Sequence, residues 1–129
     1  SVFVGRDHAL ATAESVAATD LAAYPAVLPP VESYTYAIIA DALGAAGLDI
    51  APRMTSHYLE TLRMLAGVGI GWTVLPTSME HPELARLELP GVAIQRRLGA
   101  IRHPRRSLSN AARALLTMLD ARREPSARA

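Results

Sequence analysis

The sequence predicts an α/β fold with a mostly parallel sheet and helices on both faces. Three observations carry this prediction. A short apolar run at residues 26–28 ends at Pro29 and Pro30, which cannot donate to a central strand ladder. Two segments with helical spacing of apolar residues follow, and a second apolar run at residues 72–75 ends at Pro76. Strands and helices that alternate with short connections are typical of parallel sheets with right-handed crossovers.

Residues 24–79 are therefore predicted to run strand, helix, strand, helix, strand. The first helix begins at Tyr34 and ends near Gly47, a residue that tolerates the left-handed conformation of a helix stop. Its apolar positions recur at intervals of three and four: Ile38, Ile39, Ala42, Leu43 and Ala46. The second helix covers residues 59–66, between Ser56, interpreted as its N-cap, and Gly67.

Hydroxyl groups occur at the predicted starts of both helices. Ser33, Tyr34 and Thr35 follow the first strand, and Ser56 and His57 precede the second helix. In parallel sheets ligands gather beyond the carboxyl ends of the strands, where helix N-termini present unpaired N–H groups. These positions therefore favour a small anion such as a carboxylate. His57 has two interpretations, a surface histidine in a helix start or a charged ligand contact.

Charge is distributed unevenly along the 129 residues. Residues 1–88 hold four Arg and ten carboxylates, whereas residues 89–129 hold nine Arg and two carboxylates. Such a basic end could contact phosphate. However, the arginines at 96–106 alternate around a predicted strand as on a solvated face, and no aromatic residue lies between them for base stacking. DNA binding by these residues is not predicted.

The sequence contains no strong enzyme or metal motif. The glycines of GVGIG (residues 67–71) end a helix and start a strand, the reverse of a dinucleotide-binding loop. The histidines His8, His57, His81 and His103 are dispersed, and the chain has no cysteine. Paired carboxylates that converge only in the fold stay open as an alternative. We expect no catalytic residues, no metal and no cofactor.

In this order, five segments resemble one family, the effector-binding domain of LysR-type transcriptional regulators. They are DHALA (7–11), TDLAAYPAVLPP (19–30), GAAGL (44–48), LETLRMLAGVGIGWTVLP (59–76) and LSNAARALLTML (108–119). The resemblance implies one lobe of the two-lobed fold of periplasmic binding proteins. Because the chain starts at SVFVGRDH without a Met, it is expected to be a fragment that lacks the winged helix-turn-helix and most of the first lobe.

The resemblance also implies a domain organisation. Residues 1–106 form the effector-binding lobe, with hinge strands at residues 2–4 and 95–101. Residues 107–123 form a C-terminal helix that belongs to the other lobe and carries the apolar positions Leu108, Leu115, Leu116 and Leu119. Residues 124–129 are expected to be a loose tail.

The functional expectation follows from the same resemblance. A small-molecule effector, often a carboxylate, binds between the lobes and shifts their relative orientation, and DNA is bound only through the N-terminal domain that this sequence lacks. The expected effector contacts are Ser33, Tyr34, Thr35, Ser56, His57, Pro76 and Thr77. The protein is expected to be cytoplasmic, without a membrane segment, and homo-oligomeric, with dimeric effector domains in a tetramer.

Two other interpretations stay open. Fold does not determine function, so the chain could be a half-domain of a solute-binding protein or of an enzyme with the same two-lobe architecture. It could also be an assembly module, with the helix at residues 59–66 as its contact surface. The roles of Tyr36 and Tyr58, in ligand contact or in packing, are not decided by the sequence.

Overall fold

The computed structural model describes residues 1–121, which form two units, residues 1–96 and residues 97–121. The first unit contains five strands, two α-helices and three short 3₁₀ helices. In chain order the strands and α-helices are β1 (Val2–Gly5), β2 (Val27–Leu28), α1 (Tyr34–Gly44), β3 (Met54–Thr55), α2 (Leu59–Gly67), β4 (Thr73–Val74) and β5 (Leu84–Leu87). The 3₁₀ helices span Ala9–Thr12, Ala18–Ala23 and Thr77–Met79.

Four of the five strands of this unit point in the same direction. β2 pairs parallel with β3, and a parallel bridge joins Ala26 to Trp72 beside β4. β1 pairs antiparallel with both β4 and β5, so β4 and β5 run parallel to each other on either side of it. The strand order is therefore β3, β2, β4, β1, β5. The predicted mostly parallel sheet is present, with β1 as the one strand that runs in the opposite direction.

The two helices cover opposite faces of this sheet. α1 packs on one face through Ile39 and Leu43, in a cluster that includes Val2, Val4 and Trp72. α2 packs on the other face in a second cluster, made of Phe3, Val27, Leu62, Ala66, Leu75 and Leu84. Successive residues of β1 and β2 alternate between the two clusters because side chains alternate across a strand. Helices on both faces were predicted, and this prediction is confirmed.

Glycines allow close backbone approach at one end of the sheet. A Cβ at Gly71 would lie 2.1 Å from the Pro25 carbonyl oxygen, and one at Gly5 would lie 2.8 Å from the Ala66 carbonyl oxygen. The Trp72 amide donates to the Pro25 carbonyl at 2.9 Å and so depends on that approach. Two glycines of the GVGIG segment thus have different roles. Gly71 allows the close approach to Pro25, and Gly69, with a φ of 81°, adopts the left-handed conformation after α2 ends.

Two local predictions differ from the structure. Tyr58, not Ser56, is the N-cap of α2, because the N-cap directly precedes the first helical residue, Leu59. Residues 95–101, expected to be a hinge strand, have no regular secondary structure. A strand needs a hydrogen-bonded partner, and residues 95–101 pair with none of the described strands. In addition, β5 was not predicted.

The second unit contains one helix, α3 (Asn110–Ala121), within the described residues. The predicted helix over 107–123 begins later than expected, because the Ser109 hydroxyl accepts the Ala112 N–H at 3.2 Å as an N-cap does. Leu108 therefore lies before the helix. Leu115 and Leu119 of the predicted apolar stripe are 57% and 49% exposed. Residues 122 and 123 and the predicted loose tail lie outside the described residues.

The helices described within residues 1–121 include none that is both long enough and apolar enough to cross a membrane.

Candidate functional site

The start of α1 presents polar groups at the carboxyl end of β2. Ser33 is the N-cap, and its hydroxyl accepts the Tyr36 N–H at 3.1 Å. The N–H groups of Tyr34 and Thr35 belong to the first turn, where a helix offers no internal acceptor. The Ser33 hydroxyl keeps its own proton, since it acts here as an acceptor. Several hydrogen-bond donors therefore lie at this helix start.

Ser56 and His57 follow the carboxyl end of β3. The Ser56 N–H donates to the Leu28 carbonyl at 3.1 Å, which holds this loop against the end of β2. The Ser56 hydroxyl accepts the Tyr58 N–H at 3.1 Å, so its proton also stays available. His57 is exposed. Although Ser56 is not the N-cap, its hydroxyl accepts a backbone N–H at the same distance as that of Ser33.

Pro76 and Thr77 follow β4 and begin a 3₁₀ turn, Thr77–Met79. Both residues are exposed. Just before them, the Leu75 N–H donates to the Ser1 carbonyl at 3.1 Å, which joins this end of the sheet to the start of the chain.

All seven predicted site residues lie beyond the carboxyl ends of three parallel strands. Because β2, β3 and β4 point in one direction, their ends meet at one edge of the sheet, which we call the effector rim: Ser33, Tyr34, Thr35, Ser56, His57, Pro76 and Thr77. β2 is flanked by β3 and β4, so the start of α1 occupies the middle of the rim. The structure thus brings together the positions that the sequence singled out, and their role in binding stays a prediction.

Arg96 is an additional residue at the effector rim that sequence reasoning did not assign to it. Its Nη1 donates to the Thr35 hydroxyl at 3.1 Å, across 61 positions of the chain. From the sequence, this arginine was expected on the solvated face of a strand. No local pattern could have found the contact, since it depends on where residues 92–96 return over α1.

The two tyrosines with undecided roles differ in burial. The Tyr36 ring packs against the α1 face of the core, and its hydroxyl donates to the Ile50 carbonyl at 3.0 Å, so this residue is structural. Tyr58 is 75% exposed.

The effector rim is rich in donors and has one cation, a composition that suits an anion. Ser33, Thr35 and Ser56 are half-buried, whereas Tyr34 and Arg96 are exposed, so the rim is an open surface. The rim residues include no carboxylate and no cysteine. Among residues 1–121, no group of three or more histidines, cysteines and carboxylates is arranged to hold a metal ion.

A protein-family comparison matches residues 1–124 to the LysR substrate binding domain. The chain belongs to this family. The LysR family is one of transcriptional regulators. LysR substrate-binding domains have the periplasmic-binding-protein-like fold, and the predicted fold class is confirmed. No curated protein sequence matches the chain.

Solved structures of the LysR family are similar to this domain. HinK, a LysR family transcriptional regulator from Pseudomonas aeruginosa, is 22% identical with a TM-score of 0.72, over 94% of this chain and 43% of HinK. The Synechocystis PCC6803 CcmR regulatory domain in complex with 2-PG is 22% identical with a TM-score of 0.72, over 93% of this chain and 60% of that one. The effector-binding domain of QuiR in complex with shikimate is 17% identical with a TM-score of 0.66, over 90% of this chain and 56% of the QuiR chain. This LysR domain thus spans less than half the length of HinK.

Proposed function

We propose that the effector rim binds one end of a small anionic effector and that the chain is the effector-sensing part of a LysR-type transcriptional regulator. The observation that carries this proposal is the Arg96 guanidinium held at the start of α1 by the Thr35 hydroxyl. A guanidinium next to free helix N–H groups is a favourable environment for a carboxylate or a phosphate. Two structural relatives, in complex with 2-PG and with shikimate, support a small-molecule ligand.

The seven rim residues would divide the recognition of such a ligand. The Tyr34 and Thr35 N–H groups and the Ser33 hydroxyl would donate to one anionic oxygen, and Ser56 would donate from the neighbouring loop. His57, when protonated, would add a second charge. The backbone at Pro76 and Thr77 would contact the ligand from a third side, beside the start of α1 and the loop of Ser56 and His57. The opposite wall of the cleft would come from a first lobe, to which we also assign residues 107–123.

The regulatory step would be a shift between two orientations of the lobes. A ligand held by both lobes stabilises the orientation in which it contacts both, and it shifts the equilibrium only by its difference in affinity for the two states. In the complete protein this shift would be passed to an N-terminal DNA-binding domain in a cytoplasmic homo-oligomer. We assign no bond-making or bond-breaking step, no metal and no cofactor to this domain.

An NMR titration of the ¹⁵N-labelled chain tests the proposal. The ligands are shikimate, its methyl ester as an uncharged counterpart, and inorganic phosphate. We expect shikimate or phosphate to shift the amide signals of Tyr34, Thr35 and Ser56, and we expect the methyl ester to shift them much less, because the anion supplies most of the interaction. Equal shifts for the acid and its ester would contradict an anion site.

Calorimetry on the full-length regulator extends this test. The isolated chain would hold only one wall of the cleft, so we expect the same ligand to bind the full-length protein at least tenfold more tightly. Equal affinities would show that the ligand is held by this lobe alone, in conflict with a shared cleft.

A further inference from the structure

A cavity of about 620 Å³ lies at the edge of the sheet opposite the effector rim. Gly5 ends β1, whereas Pro25 and Gly71 precede β2 and the Trp72 bridge beside β4. Because β1 is antiparallel to β4, its carboxyl end lies at the amino ends of the parallel strands. This amino-end cavity is therefore separate from the effector rim and shares none of its seven residues or Arg96.

Asp7 gives the amino-end cavity a negative charge. This carboxylate lines the cavity, is exposed, and has no ion-pair partner among residues 1–121. The neighbouring Arg6 forms no ion pair with Asp7 among residues 1–121, and its Nε donates to the Pro82 carbonyl instead. The cavity also lies at the carboxyl end of α2, where the helix dipole adds negative potential. The local field therefore favours a cation.

His8 and Tyr24 form an aromatic wall that carries no opposing charge. Their ring centroids lie 4.5 Å apart in an edge-to-face arrangement. The His8 Nδ1 accepts the Leu10 N–H at 3.2 Å, and burial lowers the pKa of this imidazole, so the ring is neutral near pH 7. Because the His8 ring is neutral, an apolar group or a cation can lie against the His8 and Tyr24 rings without charge repulsion.

Val68 and Ile70 give the cavity an exposed apolar side. They are 69% and 43% exposed and alternate with glycines after α2. Aliphatic side chains so exposed favour contact with an apolar group of a ligand, because the contact removes both surfaces from water. A ligand that fits both sides must therefore carry a positive charge and a small apolar body.

From this arrangement we propose a second ligand site in the amino-end cavity, specific for a small organic cation such as an amine with an aromatic or branched apolar group. The ammonium pairs with the Asp7 carboxylate, and the apolar group lies between Val68, Ile70 and the Tyr24 ring. The site differs from the effector rim in the sign of its ligand, since the rim offers Arg96 and helix N–H groups.

The test is a titration of the ¹⁵N-labelled chain, observed at the Gly69 and Gly71 amides. Benzylammonium is the probe, benzyl alcohol its neutral counterpart, and benzoate its anionic counterpart. We expect saturable shifts with benzylammonium at a Kd on the order of 1 mM, and weaker binding of the other two. The Asp7→Asn variant is expected to bind benzylammonium about fivefold more weakly, as for a partly exposed charge pair.

Asp49→Asn is the matched control, because Asp49 is also exposed and without an ion pair among residues 1–121. It should leave the Kd within twofold of the parent value. The proposal is overturned if benzylammonium gives no saturable shift, if benzoate binds equally well, or if Asp7→Asn and Asp49→Asn behave alike. The Gly69 and Gly71 amides lie at the opposite edge of the sheet from Tyr34, Thr35 and Ser56, so this result and that of the effector-rim titration are independent.

Discussion

Arg96 donates from its Nη1 to the Thr35 hydroxyl at 3.1 Å, which places a guanidinium beside the first turn of α1 at the effector rim. The Thr35 hydroxyl accepts this bond while its own backbone N–H has no acceptor within the helix. The Arg96 guanidinium and the Thr35 N–H therefore both remain available to an anion that binds between them. The arginine is already positioned before the ligand binds. Such positioning reduces the side-chain entropy lost on binding.

We predict that Arg96→Gln weakens binding of an anionic ligand about fivefold or more, since a charge-assisted hydrogen bond is lost. The free energy of unfolding should change by less than about 0.5 kcal/mol, because the side chain is exposed. Binding is measured by NMR titration and stability by urea unfolding. Arg53→Gln is the control, an exposed arginine that precedes β3 at the other edge of the sheet. If both variants lose affinity equally, Arg96 has no specific role.

Gly71→Ala should destabilise the domain severely. The new Cβ would lie 2.1 Å from the Pro25 carbonyl oxygen, so the backbone must move and the hydrogen bond from Trp72 to that carbonyl must lengthen. We expect a loss of about 3 kcal/mol in the free energy of unfolding. Gly44→Ala is the counterpart, since no atom lies within 4 Å of its added Cβ at the end of α1. It should be neutral or stabilising by up to about 1 kcal/mol.

Thr73→Val should stabilise the domain. Thr73 is fully buried in β4, and its hydroxyl has no hydrogen-bond partner among residues 1–121. Valine keeps the branched shape and removes the cost of an unsatisfied polar atom, which is worth about 1 kcal/mol. Thr55→Val, at an exposed position of β3, should change the free energy of unfolding by less than about 0.5 kcal/mol. A destabilised Thr73→Val variant would indicate that the hydroxyl binds a buried water.

Acid should destabilise the domain in part through His8. Burial lowers the pKa of His8 from its usual value of 6.5, so the unfolded chain binds this proton more readily than the folded chain. Above pH 6.5 His8 therefore does not reduce the free energy of unfolding. This free energy decreases as the pH falls through 6.5 towards the folded-state pKa. Protonation of Nδ1 would also remove the acceptor of the Leu10 N–H.

His8→Asn tests this pH dependence, because the asparagine oxygen can accept the same N–H without ionising. Urea unfolding between about pH 7.5 and pH 5 should show a smaller loss of stability for this variant than for the parent chain. A His8→Asn variant with the parent's pH dependence would contradict the assignment.

Local patterns were sufficient for much of the fold. The apolar runs before Pro29 and Pro76 and the helical spacing after Ser33 predicted β2, β4 and α1, because backbone restrictions and side-chain periodicity act within a few residues. The positions on the effector rim followed from one further rule, that parallel strands end at one edge. The N-cap of α2 was misplaced by two residues, since Ser56 bonds the loop before the helix.

The sequence by itself determined the α/β class, the faces of the two helices and the rim on which polar residues collect. Only the tertiary structure decided that β5 forms beside β1, that residues 95–101 do not form a strand, and that Arg96 reaches Thr35. The physical reason is that strand formation and long-range hydrogen bonds depend on partners distant in the chain, and a local pattern does not specify which edge or hydroxyl is free to pair.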